Sequence, residues 1–320
     1  MVKSLLISTL LSLSTFSGSV LGQDDAPAQP YQQPGCVQWE MVAASGTEYR
    51  IMVSLPEEEA PAGGFPVAYL LDGNALFPLA SSLYRVQAGT AKLRKHNGIS
   101  SGIIVGIGYV GDSQRDYEYT PEAEPTSQPE TYRNGQPYPP REYGGAARLR
   151  AFIEDELKPE IEKRYPVDPS QQALVGNGFG GVFVLHTLFT APDSFHTYVA
   201  GSPSIWWNGR SILEQEKAFR AQPAAARLLL TVGEGEQSLT RVETNWADED
   251  AREEHRLKVT SRRMVDNARE LFWRLDDLDH SGFEVEYASF AGESHKSAIP
   301  MSLSRALPFL FPPQEAGEKE

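Results

Sequence analysis

Apolar residues follow two patterns along this chain. Short apolar runs stand at 66–71 (PVAYLL) and 102–109 (GIIVGIGY), and largely apolar ones at 172–175, 196–200 and 228–232. Runs of this length predict strands buried on both faces. Val37–Ala44 and Glu48–Leu55 alternate instead, with Ser45-Gly46 between them, and predict a β-hairpin. Phe283–Phe290 alternates apolar residues with Glu and predicts a last strand. Between the runs the spacing changes to three and four. It predicts a helix over 77–95, and another over 146–164 carried by Leu149, Phe152, Ile153, Leu157 and Ile161. A third, over 252–279, places Leu257, Val265, Ala268, Leu271, Phe272, Leu275 and Leu278 on one stripe. Strands alternating with helices predict an α/β fold, a mostly parallel central sheet with helices on both faces.

The pattern fails in three places. Residues 111–143 hold Pro clusters, Gly, Ser/Thr and isolated tyrosines, and a loop this long predicts a cover over a site. Residues 1–22 combine Lys3, the apolar stretch Leu5–Leu13 and Val20-Leu21-Gly22, which is the layout of a cleaved secretory signal. A Pro-rich lead-in follows over 23–36, the domain itself is expected over 37–311, and 312–320 reads as a frayed tail. Export to the periplasm or the medium is expected, without stable membrane insertion after cleavage. Hydrophobic residues make up 40% of the 320, enough for a substantial core. Cys36 is the single cysteine, which excludes an intramolecular disulfide and a Cys-rich metal site. The net charge is −14, and −15 once Lys3 leaves with the signal. So acidic a chain lacks the basic footprint of a nonspecific nucleic-acid binder.

Candidate chemistry centres on Ala173-Leu-Val-Gly176-Asn177-Gly178-Phe179-Gly180-Gly181-Val-Phe-Val-Leu, a strand, a tight glycine turn and an apolar helix. Gly176, Gly178 and Gly181 satisfy the dinucleotide pattern G-x-G-x-x-G. That pattern also wants an acid at the end of the next strand, where this chain has Ala200-Gly201-Ser202-Pro203. The other layout is the nucleophile elbow G-x-S-x-G, in which a serine stands on a strained turn above the sheet. Here Gly178 holds the serine position and Asn177 precedes it.

Several further segments occur in an order that resembles the esterase D-like α/β hydrolases, most closely their ferric-siderophore esterase branch. They are Tyr69-Leu-Leu-Asp72-Gly73-Asn74, Arg115-Asp116 with Thr120-Pro121, and Phe152…Glu156-Leu-Lys-Pro159…Tyr165-Pro-Val-Asp168. After the elbow come Ser202-Pro203-Ser204-Ile-Trp206-Trp207, Val232-Gly233-Glu234-Gly235-Glu236 and Gly292-Glu293-Ser294-His295. The resemblance implies an α/β-hydrolase fold and hydrolysis of a carboxylic ester, with no metal or organic cofactor for the chemistry; iron would arrive only with the ligand. It implies His295 as general base and acid, and Glu236, or second Glu234, as the acid that orients it. The backbone N–H of Phe179 and one near Gly73-Asn74 would form the oxyanion hole. Arg115, Trp206 or Trp207, and more weakly Arg85, are the residues implied for holding an aromatic, anionic ligand.

Glycine at 178 has no side-chain oxygen, so the acyl-enzyme of a serine triad is unavailable. Three readings stand side by side: a hydrolase in which His295 activates water beside Gly178, a non-catalytic binder of an ester or ferric siderophore, and a dinucleotide binder.

Overall fold

A computed structural model of the chain describes residues 31–122 and 142–313. The proposed signal over 1–22, most of the lead-in, residues 123–141 of the predicted cover and residues 314–320 lie outside the described residues. Eight strands form one sheet: Cys36–Val42 (β1), Glu48–Ser54 (β2), Phe65–Leu70 (β3), Ile103–Tyr109 (β4), Val167–Asn177 (β5), Thr197–Gly201 (β6), Ala226–Gly233 (β7) and Phe283–Phe290 (β8). Their order is β1-β2-β4-β3-β5-β6-β7-β8. β2 runs antiparallel to β1 and to β4, and every other neighbouring pair is parallel. The register across the middle aligns Tyr69, Leu174, Tyr198, Leu228 and Val285.

Helices fill the crossovers. Gly73–Ala88 (α1) and Ala91–Asn97 (α2) precede β4, and Arg115–Glu118 (α3) follows it. Ala146–Phe152 (α4) passes through a π-turn at Ile153–Leu157 into Lys158–Arg164 (α5). Phe179–Thr190 (α6) follows β5, Trp207–Arg210 (α7) and Ile212–Ala221 (α8) follow β6, Glu249–Arg262 (α9) and Met264–Asp276 (α10) follow β7, and Ala298–Leu310 (α11) comes after β8.

Strand alternation sorts side chains to the two faces. On β5, Leu174 packs with Phe183 of α6, Phe219 of α8 and Leu271 of α10. Its neighbours Ala173 and Val175 join Phe77 of α1 and Leu307 of α11 on the other side. α6 is apolar nearly all round, with Val182, Phe183, Val184, Leu185 and Leu188 buried, as a helix at the centre of the fold must be.

The structure corrects two predicted helices. The segment 77–95 is two helices, because Thr90 turns extended and its hydroxyl caps the Leu93 N–H at 3.3 Å. The segment 252–279 breaks at Arg263, which is left-handed at φ 49°. Leu257 therefore does not share the buried stripe. It is 55% exposed, and no residue of α9 is buried. The stripe starts at Met264 and Val265.

β3 and β5 are adjacent, yet α1 leaves one and α6 the other toward opposite faces of the sheet. The two strands are parallel, but the crossovers that leave them switch faces, and such a switch opens a crevice at the carboxyl ends of the strands. Both helix N-termini meet there.

Candidate active site

Gly178 follows β5 directly with φ 63° and ψ −116°, a conformation that L-residues adopt only under strain. Its N–H donates to the Gly201 carbonyl at 3.0 Å, and its own carbonyl accepts from Val182 and Ser204 at 3.1 Å each. The turn is thus tied to the end of β6 on one side and to α6 on the other. Phe179 begins α6, so its N–H has no acceptor within the helix and is free to point into the crevice.

A Cβ added to Gly178 would stand 3.2 Å from Nε2 of His295 and 3.9 Å from a guanidinium nitrogen of Arg115. His295 comes from the loop between β8 and α11. Its Nδ1 is 2.6 Å from Oε2 of Glu236, whose side chain is 1% exposed. The other carboxylate oxygen of Glu236 accepts from the Ser202 hydroxyl at 2.5 Å and from the Gly233 N–H at 2.8 Å. A buried carboxylate needs such partners, and this one has three. The imidazole bonded to it is held with Nε2 turned toward Gly178.

The two loops that carry this pair are packed against each other. Gly235 donates its N–H to the Glu293 carbonyl at 2.9 Å. A Cβ on Gly233 would lie 2.4 Å from that same oxygen. The glycines of Val232-Gly-Glu-Gly-Glu therefore permit the approach that brings Glu236 to His295. Glu234 turns the other way and accepts from Ser289 on β8 at 2.8 Å. Of the two acids expected, only Glu236 meets the histidine.

On the β3 side, Asp72 is left-handed (φ 55°) and leads into α1. Its N–H donates to the hydroxyl of Tyr119 at 2.9 Å. Its carboxylate takes two bonds from Arg115, Nε at 2.9 Å and a terminal nitrogen at 3.2 Å. Burial opposes the charge on Arg115, but the hydrogen bonds and charge of Asp72 outweigh it and raise the guanidinium pKa. Gly73 and Asn74 are the first residues of α1. The Asn74 side chain is engaged on both atoms with the backbone of Tyr109, at 2.9 and 2.7 Å, so only its backbone faces remain for the crevice.

Aromatic rings continue the wall. Phe179 lies 6.2 Å from Trp206 and 6.5 Å from Tyr143, centroid to centroid. Arg115 sits over the Phe179 ring at 5.8 Å and Arg262, the last residue of α9, over Trp206 at 4.1 Å. Trp207 is buried behind them, 5.7 Å from Tyr143. Arg85 is not brought to the site: it lies in the last turn of α1, away from the crevice, paired with Glu57 at 3.7 Å. Asp72, Ser202, Tyr143 and Arg262 are constituents that the sequence reading did not assign to the site. For Ser202 the available signal was its place directly after a buried strand; for Arg262 no local signal exists.

Among the described residues no group of three or more His, Cys, Asp or Glu side chains is arranged to hold a metal ion. No helix among them is long and apolar enough to cross a membrane.

With this geometry in view, comparisons with known proteins agree. A sequence model of the family described as "Putative esterase" matches residues 43–273. Ferri-bacillibactin esterase BesA of Bacillus subtilis is 37% identical over 273 residues, covering 83% of this chain and 85% of the relative. Siderophore triacetylfusarinine C esterase of Aspergillus fumigatus is 33% identical over 302 residues, covering 88% and 95%. A crystal structure of the BES protein from Bacillus cereus superposes with a TM-score of 0.73 at 35% identity, covering 89% of this chain and 99% of that one.

Proposed function

The chain belongs to this esterase family, and we propose that its crevice takes a siderophore ester, with His295 and Glu236 as an assembled base–acid pair and no covalent nucleophile. The observation that carries this reading is the 3.2 Å between His295 Nε2 and the point where a Cβ on Gly178 would stand. Restoring a serine there would set its hydroxyl within reach of a base already oriented by a buried acid. The names of the relatives, a ferri-bacillibactin esterase and a triacetylfusarinine C esterase, support the substrate class.

In this reading the Phe179 N–H and a backbone N–H at Gly73-Asn74 receive the oxygen of the ester carbonyl. Arg115 and Trp206 face an anionic or aromatic ligand, while Trp207 backs the wall. With a net charge of −14 the protein repels anions at long range, so local arginines must do the holding. The ligand is an ester-bearing siderophore, ferric or iron-free. The leader composition of residues 1–22 supports export, where such ligands are met.

Titrating the protein with a ferric catecholate triester while following tryptophan emission tests the ligand class. Saturable quenching is expected, and its absence overturns the class. A second reading, ligand holding without turnover, is favoured by the missing side-chain oxygen at 178. Steady binding with no product from the unmodified protein would establish it.

A further inference from the structure

We infer that this chain hydrolyses its ester in a single displacement, with water, activated by His295 Nε2, occupying the position that a serine oxygen would hold beside Gly178. The inference rests on the reading of the crevice as an ester site and goes beyond it, because it replaces the acyl-enzyme route of a serine esterase with direct attack.

Three observations carry it. First, the elbow keeps the backbone conformation (φ 63°, ψ −116°) that an L-residue would hold only under strain, although its residue, a glycine, bears no nucleophile. Three backbone hydrogen bonds, to Gly201 of β6, to Val182 of α6 and to Ser204, hold the turn in this position beside His295. Second, the base is fully assembled. The Glu236 carboxylate accepts from Ser202, Gly233 and His295, so the imidazole orientation is fixed before any ligand enters. Third, Nε2 faces a glycine at 3.2 Å from its would-be Cβ, so a molecule the size of water beside that carbon lies within hydrogen-bond reach of the base.

The step balances without a further reactant. The water oxygen attacks the ester carbonyl carbon while one water proton passes to His295 Nε2. The C=O electron pair moves to the carbonyl oxygen, facing the Phe179 N–H. As the carbonyl re-forms, the bond to the alcohol oxygen breaks, and His295 Nε2 returns its proton to that oxygen. Ester and water become acid and alcohol, and the enzyme ends unchanged. General-base assistance of this kind contributes roughly 10²–10⁴-fold.

The test uses the whole protein as three preparations: the native sequence, His295→Ala and Gly178→Ser. Each is pre-incubated with a fluorophosphonate and then given a catecholate triester or a p-nitrophenyl ester. The native protein is expected to stay unlabelled by intact mass, to keep its full rate after the fluorophosphonate, and to exceed His295→Ala about 10²-fold. Gly178→Ser is expected to be labelled and silenced. A native rate equal to that of His295→Ala, while untreated Gly178→Ser turns over, overturns the inference and leaves the ester site standing. Inactivity of all three together with no ligand quenching overturns the ester site itself.

Discussion

The hydroxyl of Ser202 donates to Glu236 Oε1 at 2.5 Å, and the opposite oxygen of the same carboxylate holds His295. Ser202 is 1% exposed, and its backbone is left-handed at φ 40°, which aims the side chain across the end of β6 at the acid after β7. A hydrogen bond to a charged group contributes about 1.5–3 kcal/mol. Ser202→Ala is therefore expected to lower stability by that amount in urea unfolding. It should also weaken or shift the far-downfield proton resonance of the His295–Glu236 bond, identified by its loss in His295→Ala. Ser202→Gly removes the hydroxyl but relieves the backbone, and should change the resonance as Ala does. If Ser202 only shapes the turn, Gly leaves the resonance where it was.

Gly233→Ala drives a methyl group to 2.4 Å from the Glu293 carbonyl. The two loops that carry Glu236 and His295 must separate, at a cost of about 1–3 kcal/mol. The same downfield resonance should be lost. A stable variant with an unchanged resonance would show that the close approach of these loops is dispensable.

Arg115→Ala removes both bonds to Asp72 and the cation beside Phe179. Affinity for a ferric catecholate triester is expected to fall about tenfold, equivalent to roughly 1.4 kcal/mol. Arg85→Ala, in the last turn of α1, should leave it unchanged. Equal losses from both variants would mean the effect is one of long-range charge. Tryptophan quenching measures both.

His186 lies on α6, about two turns beyond the elbow, with Nδ1 2.7 Å from Oε1 of Gln215 on α8. Burial lowers its pKa below the ordinary value near 6.5. The folded state then binds fewer protons than the unfolded chain just below that value. Its contribution is intact above about pH 6.5 and is lost as pH falls from there toward the folded pKa. Unfolding free energies between pH 5 and 7 should show a slope of up to about 1.4 kcal/mol per pH unit from this residue. His186→Gln should flatten the slope, and an unaltered slope would place the proton uptake elsewhere.

Much of this was legible in the sequence, for physical reasons. Short, largely apolar runs betray strands covered on both faces, and β3, β4 and the centre of β7 were visible that way. Helix breaks at Thr90 and Arg263 were not, because a single backbone rotation leaves the apolar spacing on either side intact. His295 was marked by its glycine-flanked loop after the last strand. Choosing between Glu234 and Glu236 needed the fold, since the 3₁₀ turn after β7 abolishes the in-out alternation that would have sorted them. Arg85 stood three positions before the end of α1, and only the axis of that helix reveals that its side chain leaves the crevice behind. Ser202 and Arg262 act across the fold and carry no local signature.

Gly178→Ser tests most directly whether the base–acid pair is complete. The new side chain stands at a positive φ and close to His295, so stability should fall by about 1–3 kcal/mol. Esterase activity should nonetheless rise at least ~10³-fold, because losing the serine from a serine protease costs about 2 × 10⁶ in kcat. A stoichiometric fluorophosphonate adduct on Ser at this position, abolished by His295→Ala, is the predicted result. A folded Gly178→Ser protein that neither labels nor hydrolyses a p-nitrophenyl ester faster than His295→Ala would contradict it.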